Sequence, residues 1–179
     1  GSFARFYVEN GASYDLTQYA KDNAWYDKFN ESALGLCTFN GELHGYPTAF
    51  NVIGVYYRKD LFDKYNIQVP TTFEEFENVC ATLKSNGVTP ITTAGIYGWH
   101  VMRFVELFIE LYAGAEQHDQ MNAFKESYNN EAVVKALTKY QEFCDKGYFI
   151  EGFTAINPDD VNIPLFSGNA AMITEGQWL

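Results

Sequence analysis

Between residues 52 and 174, short apolar runs alternate with longer stretches in which apolar residues recur every three or four positions. This alternation restricts the fold more than any other feature of the chain. A short β-branched or aromatic run is a strand signal, whereas an apolar period near 3.6 builds a one-sided helix. Residues 52–57, 88–92 and 170–174 are the strand candidates, and the first, apolar throughout, is read as buried on both faces. Between them lies a short helix over 59–65. A longer one is opened by Thr72 and Glu75 in a capping-box pattern, carries Phe73, Phe76, Val79, Cys80 and Leu83, and ends at Asn86-Gly87. Residues 101–112 read as a hydrophobic helix ended by Ala113 and Gly114. Residues 130–146 read as an amphipathic one stopped by Gly147, and residues 160–166 as about one helical turn before Gly168. Strands alternating with helices indicate an α/β layout.

The first fifty residues follow another pattern. Trp25, Tyr26 and Phe29 stand at helical spacing within residues 22–29. Asn40-Gly41 marks a tight hairpin turn in residues 38–43, and Pro47 forces an extended approach from Tyr46. The end of the chain is distinctive too. Small apolar residues from Ala170 run into Glu175-Gly176-Gln177-Trp178, a strand that turns at a glycine and presents an indole at its edge.

Composition excludes several functions. A net charge of −11 and a pI near 4.6 argue against nucleic acid, which needs a basic surface. No apolar run is long enough to span a membrane, and Gly1-Ser2 begins no recognisable signal peptide or lipidation motif. Cys37, Cys80 and Cys144 fit neither a metal-ligand spacing nor a disulfide framework. Cys80 and Cys144 fall in apolar helical patterns and read as buried thiols. No cofactor is expected. The aromatic content, 17% with 13 Tyr and 15 Phe, is mostly core but also suits ring-shaped ligands.

Four segments together resemble the extracellular solute-binding proteins of ABC importers, the class that includes the maltodextrin-binding protein. They are Gly41-Glu42-Leu43-His44-Gly45-Tyr46-Pro47, Val55-Tyr56-Tyr57-Arg58-Lys59-Asp60-Leu61-Phe62, Val69-Pro70-Thr71-Thr72-Phe73-Glu74-Glu75-Phe76, and Phe166-Ser167-Gly168-Asn169-Ala170-Ala171-Met172 with Gly176-Gln177-Trp178. The resemblance implies a periplasmic-binding-protein-like (type II) bilobal α/β fold, here mainly one lobe. Residues 1–48 would end an incomplete amino-terminal lobe and residues 49–179 form most of the carboxy-terminal one, with a hinge near Ala49-Phe50-Asn51. It also implies an extracellular or cell-surface protein, lipid-anchored or periplasmic, that passes a sugar or oligosaccharide to membrane permease subunits. A piece of this kind could not close on a ligand alone, and its open apolar surface would favour dimerisation or segment swapping.

Sugars are held by flat aromatic faces and by polar groups that bond their hydroxyls. The resemblance makes Trp178 the stacking face. Trp99, in a Gly-rich loop before a helix, is a second candidate, and Asn51 matches a polar contact near the hinge. Tyr97 and His100 are weaker candidates, since a histidine that opens a helix is more often a capping or surface group. The early Asp-Arg pair of the maltodextrin binder is unmatched, with Ser2 and Phe3 in its neighbourhood, which weakens maltodextrin as the ligand. Glu74 and Glu75 look like paired carboxylates but suit the positive end of a helix. Tyr56 and Tyr57 point to opposite sides of a strand and cannot share an ion.

An enzyme acting in such a cleft would need two carboxylates flanking the bond. No such pair, nucleophile set or metal set stands out, so a non-catalytic binder is expected. The alternatives are a sensor domain of a signalling receptor, or a binder of a non-sugar solute.

Overall fold

The computed structural model describes residues 2–49 and 51–179, apart from the side chains of Ser2 and Phe3. Phe50, expected in the hinge, and those two side chains, expected at the unmatched Asp-Arg position, therefore lie outside what is described. The chain divides into two compact units, Gly1–Asn51 and Val52–Leu179.

The first unit holds α1 (Ser2–Glu9), α2 (Thr17–Asp22), α3 (Trp25–Lys28), α4 (Glu31–Gly35) and a hairpin of β1 (Thr38–Phe39) and β2 (Glu42–Leu43). Asn40 and Gly41 both take positive φ, 53° and 85°, as the expected turn requires. The single helix expected over residues 22–29 is instead broken at Ala24, which is left-handed. Asn23 closes α2 there, its side-chain amide donating to the Tyr19 carbonyl at 2.9 Å. The helical spacing of the aromatics still has a use: the Trp25 ring packs on Tyr19, Phe29 and Tyr46. Ala20, Leu34 and Leu43 form the core beneath.

The second unit contains β3 (Ile53–Tyr57), α5 (Lys59–Lys64), α6 (Phe73–Ser85), β4 (Thr89–Thr92), α7 (Gly98–Asn122), α8 (Glu131–Asp145), α9 (Ile163–Ser167) and β5 (Ala170–Gly176). The sheet order is β3-β5-β4, with β5 antiparallel to β3 and parallel to β4. As the central strand, β5 is buried along its whole length, which accounts for its small residues at Ala170 and Ala171. Met172 faces an aromatic core that includes Phe76, Phe104, Phe108 and Phe143. Its neighbour Ile173 packs instead with Ala94, Val161 and Leu165, as strand alternation demands. The Tyr57 ring packs tilted on Phe62, centroids 4.5 Å apart, while Tyr56 joins the Ile173 cluster, so the two tyrosines do part to opposite faces.

Three expectations for the second unit are corrected. The strand at residues 52–57 is not buried on both faces: β3 begins at Ile53 and lies at the sheet edge, with Ile53, Val55 and Tyr57 exposed. Its apolar run reflects one face on the sheet core and one open apolar face. The helix expected to stop at Gly114 starts earlier, at Gly98, and resumes beyond it to Asn122. Gly114 adopts φ 75° and ψ 162°, a conformation cheap only for glycine, and the chain bends back there. His118 consequently places Nε2 2.6 Å from Glu106 and Nδ1 2.7 Å from Glu110. In an unbroken helix residues 106 and 118 would stand about 18 Å apart along the axis. Finally, Cys80 is buried as expected but Cys144 is only partly so, and all three thiols are free.

The capping box of α6 forms with both halves present. Thr72 Oγ1 accepts from the Glu75 N–H at 3.2 Å, and the Glu75 carboxylate accepts from the Thr71 and Thr72 N–H groups. Glu75 is thereby assigned to the helix start.

Candidate functional site

Two chain crossings at one end of the sheet build the site. The first follows β5. Ile53 of β3 pairs with Gly176, and the Val52 N–H donates to Gln177 Oε1 at 2.7 Å. The chain then turns, with the Leu179 N–H donating to the Gly176 carbonyl at 3.1 Å. Trp178 folds back so that its six-membered ring occupies the space a β carbon on Gly176 would need. Here glycine is required by close approach rather than by a positive φ.

The second crossing follows β4. Gly95 packs against the backbone of Phe153 and Thr154, its N–H donating to the Phe153 carbonyl at 2.7 Å. This fixes the loop that carries Tyr97 at the N-cap of α7 and Trp99 in its first turn. Arg103 follows one helical turn later, on the same face as Trp99.

Arg103 joins the two crossings. Its guanidinium carbon lies 4.8 Å from the centre of the Trp99 ring and 5.6 Å from that of Trp178, within cation–π range of both. Nη1 donates to Glu175 Oε1 at 2.5 Å and to the Thr174 carbonyl at 3.2 Å. The other Glu175 oxygen accepts from the Gly176 N–H at 2.8 Å. The Glu175 side chain is only 5% exposed. Burial works against its charge, but the bonds from Arg103 and Gly176 outweigh it and hold the carboxyl below its ordinary pKa.

His100 closes the site from behind. Its Nδ1 lies 3.2 Å from Thr93 Oγ1, and its Nε2 lies 3.4 Å from Glu175 Oε1. Burial and the Arg103 charge push its pKa down despite the pull of Glu175, so the imidazole is neutral near pH 7. His100, a weaker ligand candidate whose alternative was a surface or capping group, is neither at the ligand face nor at the surface: it has no exposed area and lies behind the Glu175 carboxylate.

Of the residues singled out in the sequence, Trp99 and Trp178 come together through Arg103, each about half exposed at 51% and 54%. Tyr97 is exposed on the same loop, two residues before Trp99. Asn51 belongs to the first unit, where it is exposed and borders a groove with Lys28, Phe29, Pro47 and Thr48. Arg103 and Glu175 were not anticipated. Their signals are an arginine four residues after a helix-opening tryptophan and a lone carboxylate ending an apolar strand.

From Trp99 and Arg103 a groove of about 510 Å³ follows the open face of β3 past Leu107 to Glu110 and His118. The arrangement offers two apolar ring faces with hydrogen-bond donors between them. Among the described residues no group of three or more His, Cys, Asp or Glu is placed to hold a metal ion.

Known proteins are similar to this chain in sequence and architecture. The sequence profile described as "Bacterial extracellular solute-binding protein" matches residues 1–179. A multiple sugar-binding protein of Streptococcus mutans is 23% identical over 146 residues, 78% of this chain and 34% of its own length. The α-glucosides-binding periplasmic protein AglE of Rhizobium meliloti is 25% identical over 150 residues, 78% of this chain and 31% of its own. Among solved structures, a chitin oligosaccharide binding protein is 27% identical with a TM-score of 0.87, covering 98% of this chain and 44% of that one. A structure described under xylan utilization by Caldanaerobius polysaccharolyticus is 31% identical with a TM-score of 0.88, covering 97% and 44%. The chain thus spans about a third of these curated relatives and less than half of these solved neighbours. The shared architecture is the bilobal periplasmic-binding-protein fold, represented here mainly by one lobe. The chain belongs to the family of bacterial extracellular solute-binding proteins.

Proposed function

We propose that the chain captures an extracellular carbohydrate without catalysis, as part of a protein that delivers it to the permease of an ABC importer. The observation that carries this reading is the pair of half-exposed indoles, Trp99 and Trp178, tied to one guanidinium at the end of the sheet. Indole faces take the C–H surface of a sugar ring, and Arg103 donors take its hydroxyls. The sugar-binding relatives support the ligand class.

In this reading residues 1–48 end the amino-terminal lobe and residues 49–179 make up most of the carboxy-terminal lobe. Asn51 supplies a polar contact from the hinge and Tyr97 an edge contact beside Trp99. Capture proceeds by closure of two lobes over the ligand, which shifts an open population to a closed one. The location is extracellular, either lipid-anchored at the cell surface or periplasmic: the relatives include a lipoprotein of Bacillus subtilis and a periplasmic protein of Rhizobium meliloti. The open apolar face of β3, with Val55 and Tyr57 exposed, favours self-association of the isolated chain.

Calorimetric titration of the full-length protein against neutral mono- and oligosaccharides, amino acids and polyamines tests the reading. Heat with at least one sugar supports it. Heat with an amino acid or polyamine and none with any sugar overturns it.

A further inference from the structure

Arg103 looks at first like a site for acidic sugars: a guanidinium between two aromatic faces in an otherwise acidic chain, −11 overall. Its surroundings point the other way. The side chain is 13% exposed, and the carboxylate of Glu175 is buried against it at 2.5 Å. Glu175 is held in place on its other oxygen by the Gly176 N–H and backed by an uncharged His100. The positive charge of Arg103 is therefore cancelled inside the protein before any ligand arrives. An incoming carboxylate would meet a guanidinium already committed to another carboxylate, whose own charge repels it through a poorly screened interior.

The hydrogen-bonding capacity of Arg103 is not exhausted in the same way. Both of its bonds to the protein are made by Nη1. A guanidinium has five N–H donors in a fixed fork, and among the described residues neither Nε nor Nη2 of Arg103 has a hydrogen-bond partner. Neutral hydroxyls need donors without an unbalanced charge; a uronate needs both.

We propose that Arg103 is the specificity-determining residue of this site: neutralised by Glu175, it donates to ligand hydroxyls between Trp99 and Trp178 and selects uncharged saccharides over uronic acids. The inference rests on the carbohydrate reading above and adds the charge class of the ligand. Glu175 acts through Arg103 and is a positioning residue.

The test is calorimetry on the full-length protein with neutral oligosaccharides (xylotriose, chitotriose, raffinose) and uronates (trigalacturonate, aldotriouronic acid). The expected result is a neutral ligand bound at least tenfold more tightly than any uronate. In Glu175→Gln, with thermal unfolding monitored alongside, the released charge should shrink that ratio at least threefold. Arg103→Met, which keeps the stem but not the donors, should lose at least tenfold in affinity for the neutral ligand. A uronate bound as tightly as any neutral sugar by the wild-type protein overturns the inference while leaving the carbohydrate reading intact. So does a ratio unchanged in folded Glu175→Gln. Binding of neither class overturns both. The wild-type ratio needs no variant, so a variant that fails to fold does not shield the proposal.

Discussion

The six-membered ring of Trp178 lies in the space where any residue other than glycine at position 176 would carry its β carbon. The ring therefore rests on backbone, and its position depends on the absence of one methyl group two residues earlier. Gly176→Ala should displace the indole and with it the contact to Arg103. Sugar affinity is expected to fall at least tenfold, about 1.4 kcal/mol. A shift in tryptophan emission should accompany the loss, and calorimetry with fluorescence on the same sample checks both.

The fold behind this contact was legible in the sequence to the extent that local physics decides it. Thr72 and Glu75 specify a capping box wherever they stand before an apolar period, and Asn40-Gly41 specify a tight turn. Such elements need no distant partner. What was misread depended on one. Residues 53–57 are apolar enough for a central strand, yet the centre belongs to β5 and β3 takes the edge, a choice no local pattern contains. Gly114 ends most helical patterns, but here His118 makes resumption favourable by meeting Glu106 and Glu110 after the bend.

The site divides along the same line. Trp99 and Trp178 were visible as aromatics beside glycines. Arg103 and Glu175 are separated by 72 positions, and only the meeting of α7 with β5 makes them a pair. His100 looked like a surface group because helix starts are usually exposed, yet the sheet end covers it completely.

The return at Gly114 should be sensitive to pH. Burial of His118 opposes its charge, but the bond to Glu110 and the charge of Glu106 outweigh it, so its native pKa lies above the ordinary value of 6.5. A base with a raised native pKa adds stability that is fully present below the unfolded value and is lost as pH rises through the native one. His118→Gln should therefore lower the melting temperature most at pH 5 to 6, below the ordinary value, and the gap to wild type should narrow as pH rises from there into the alkaline range. Thermal unfolding of both proteins across that range checks it; a gap independent of pH would contradict the ion-pair account.

Phe143 stands at the centre of the aromatic core, its ring within 5.1 Å of Phe108 and 5.2 Å of Tyr148. Phe143→Ala should cost about 3–5 kcal/mol in urea unfolding, as for other buried aromatic truncations. Leu137→Ala on the exposed side of the same helix should change stability by no more than about 0.5 kcal/mol. Equal losses at both positions would mean that α8 buries a different face.

The α6 capping box supplies a local test. Thr72→Ala removes the acceptor for the Glu75 N–H and should cost about 0.5–2 kcal/mol. Thr72→Ser or Thr72→Asp should restore most of it, measured by urea unfolding of the three variants.

The central claim is that Trp99 and Trp178 form a sugar-binding surface, and titration of wild-type, Trp178→Ala and Trp99→Ala full-length proteins with the oligosaccharide the wild type binds tests it most directly. The account predicts exothermic wild-type binding with a change in tryptophan emission. Each substitution should weaken binding at least tenfold, about 1.4 kcal/mol, while melting temperatures stay close to wild type. Sugar binding that survives both substitutions at wild-type affinity would contradict it.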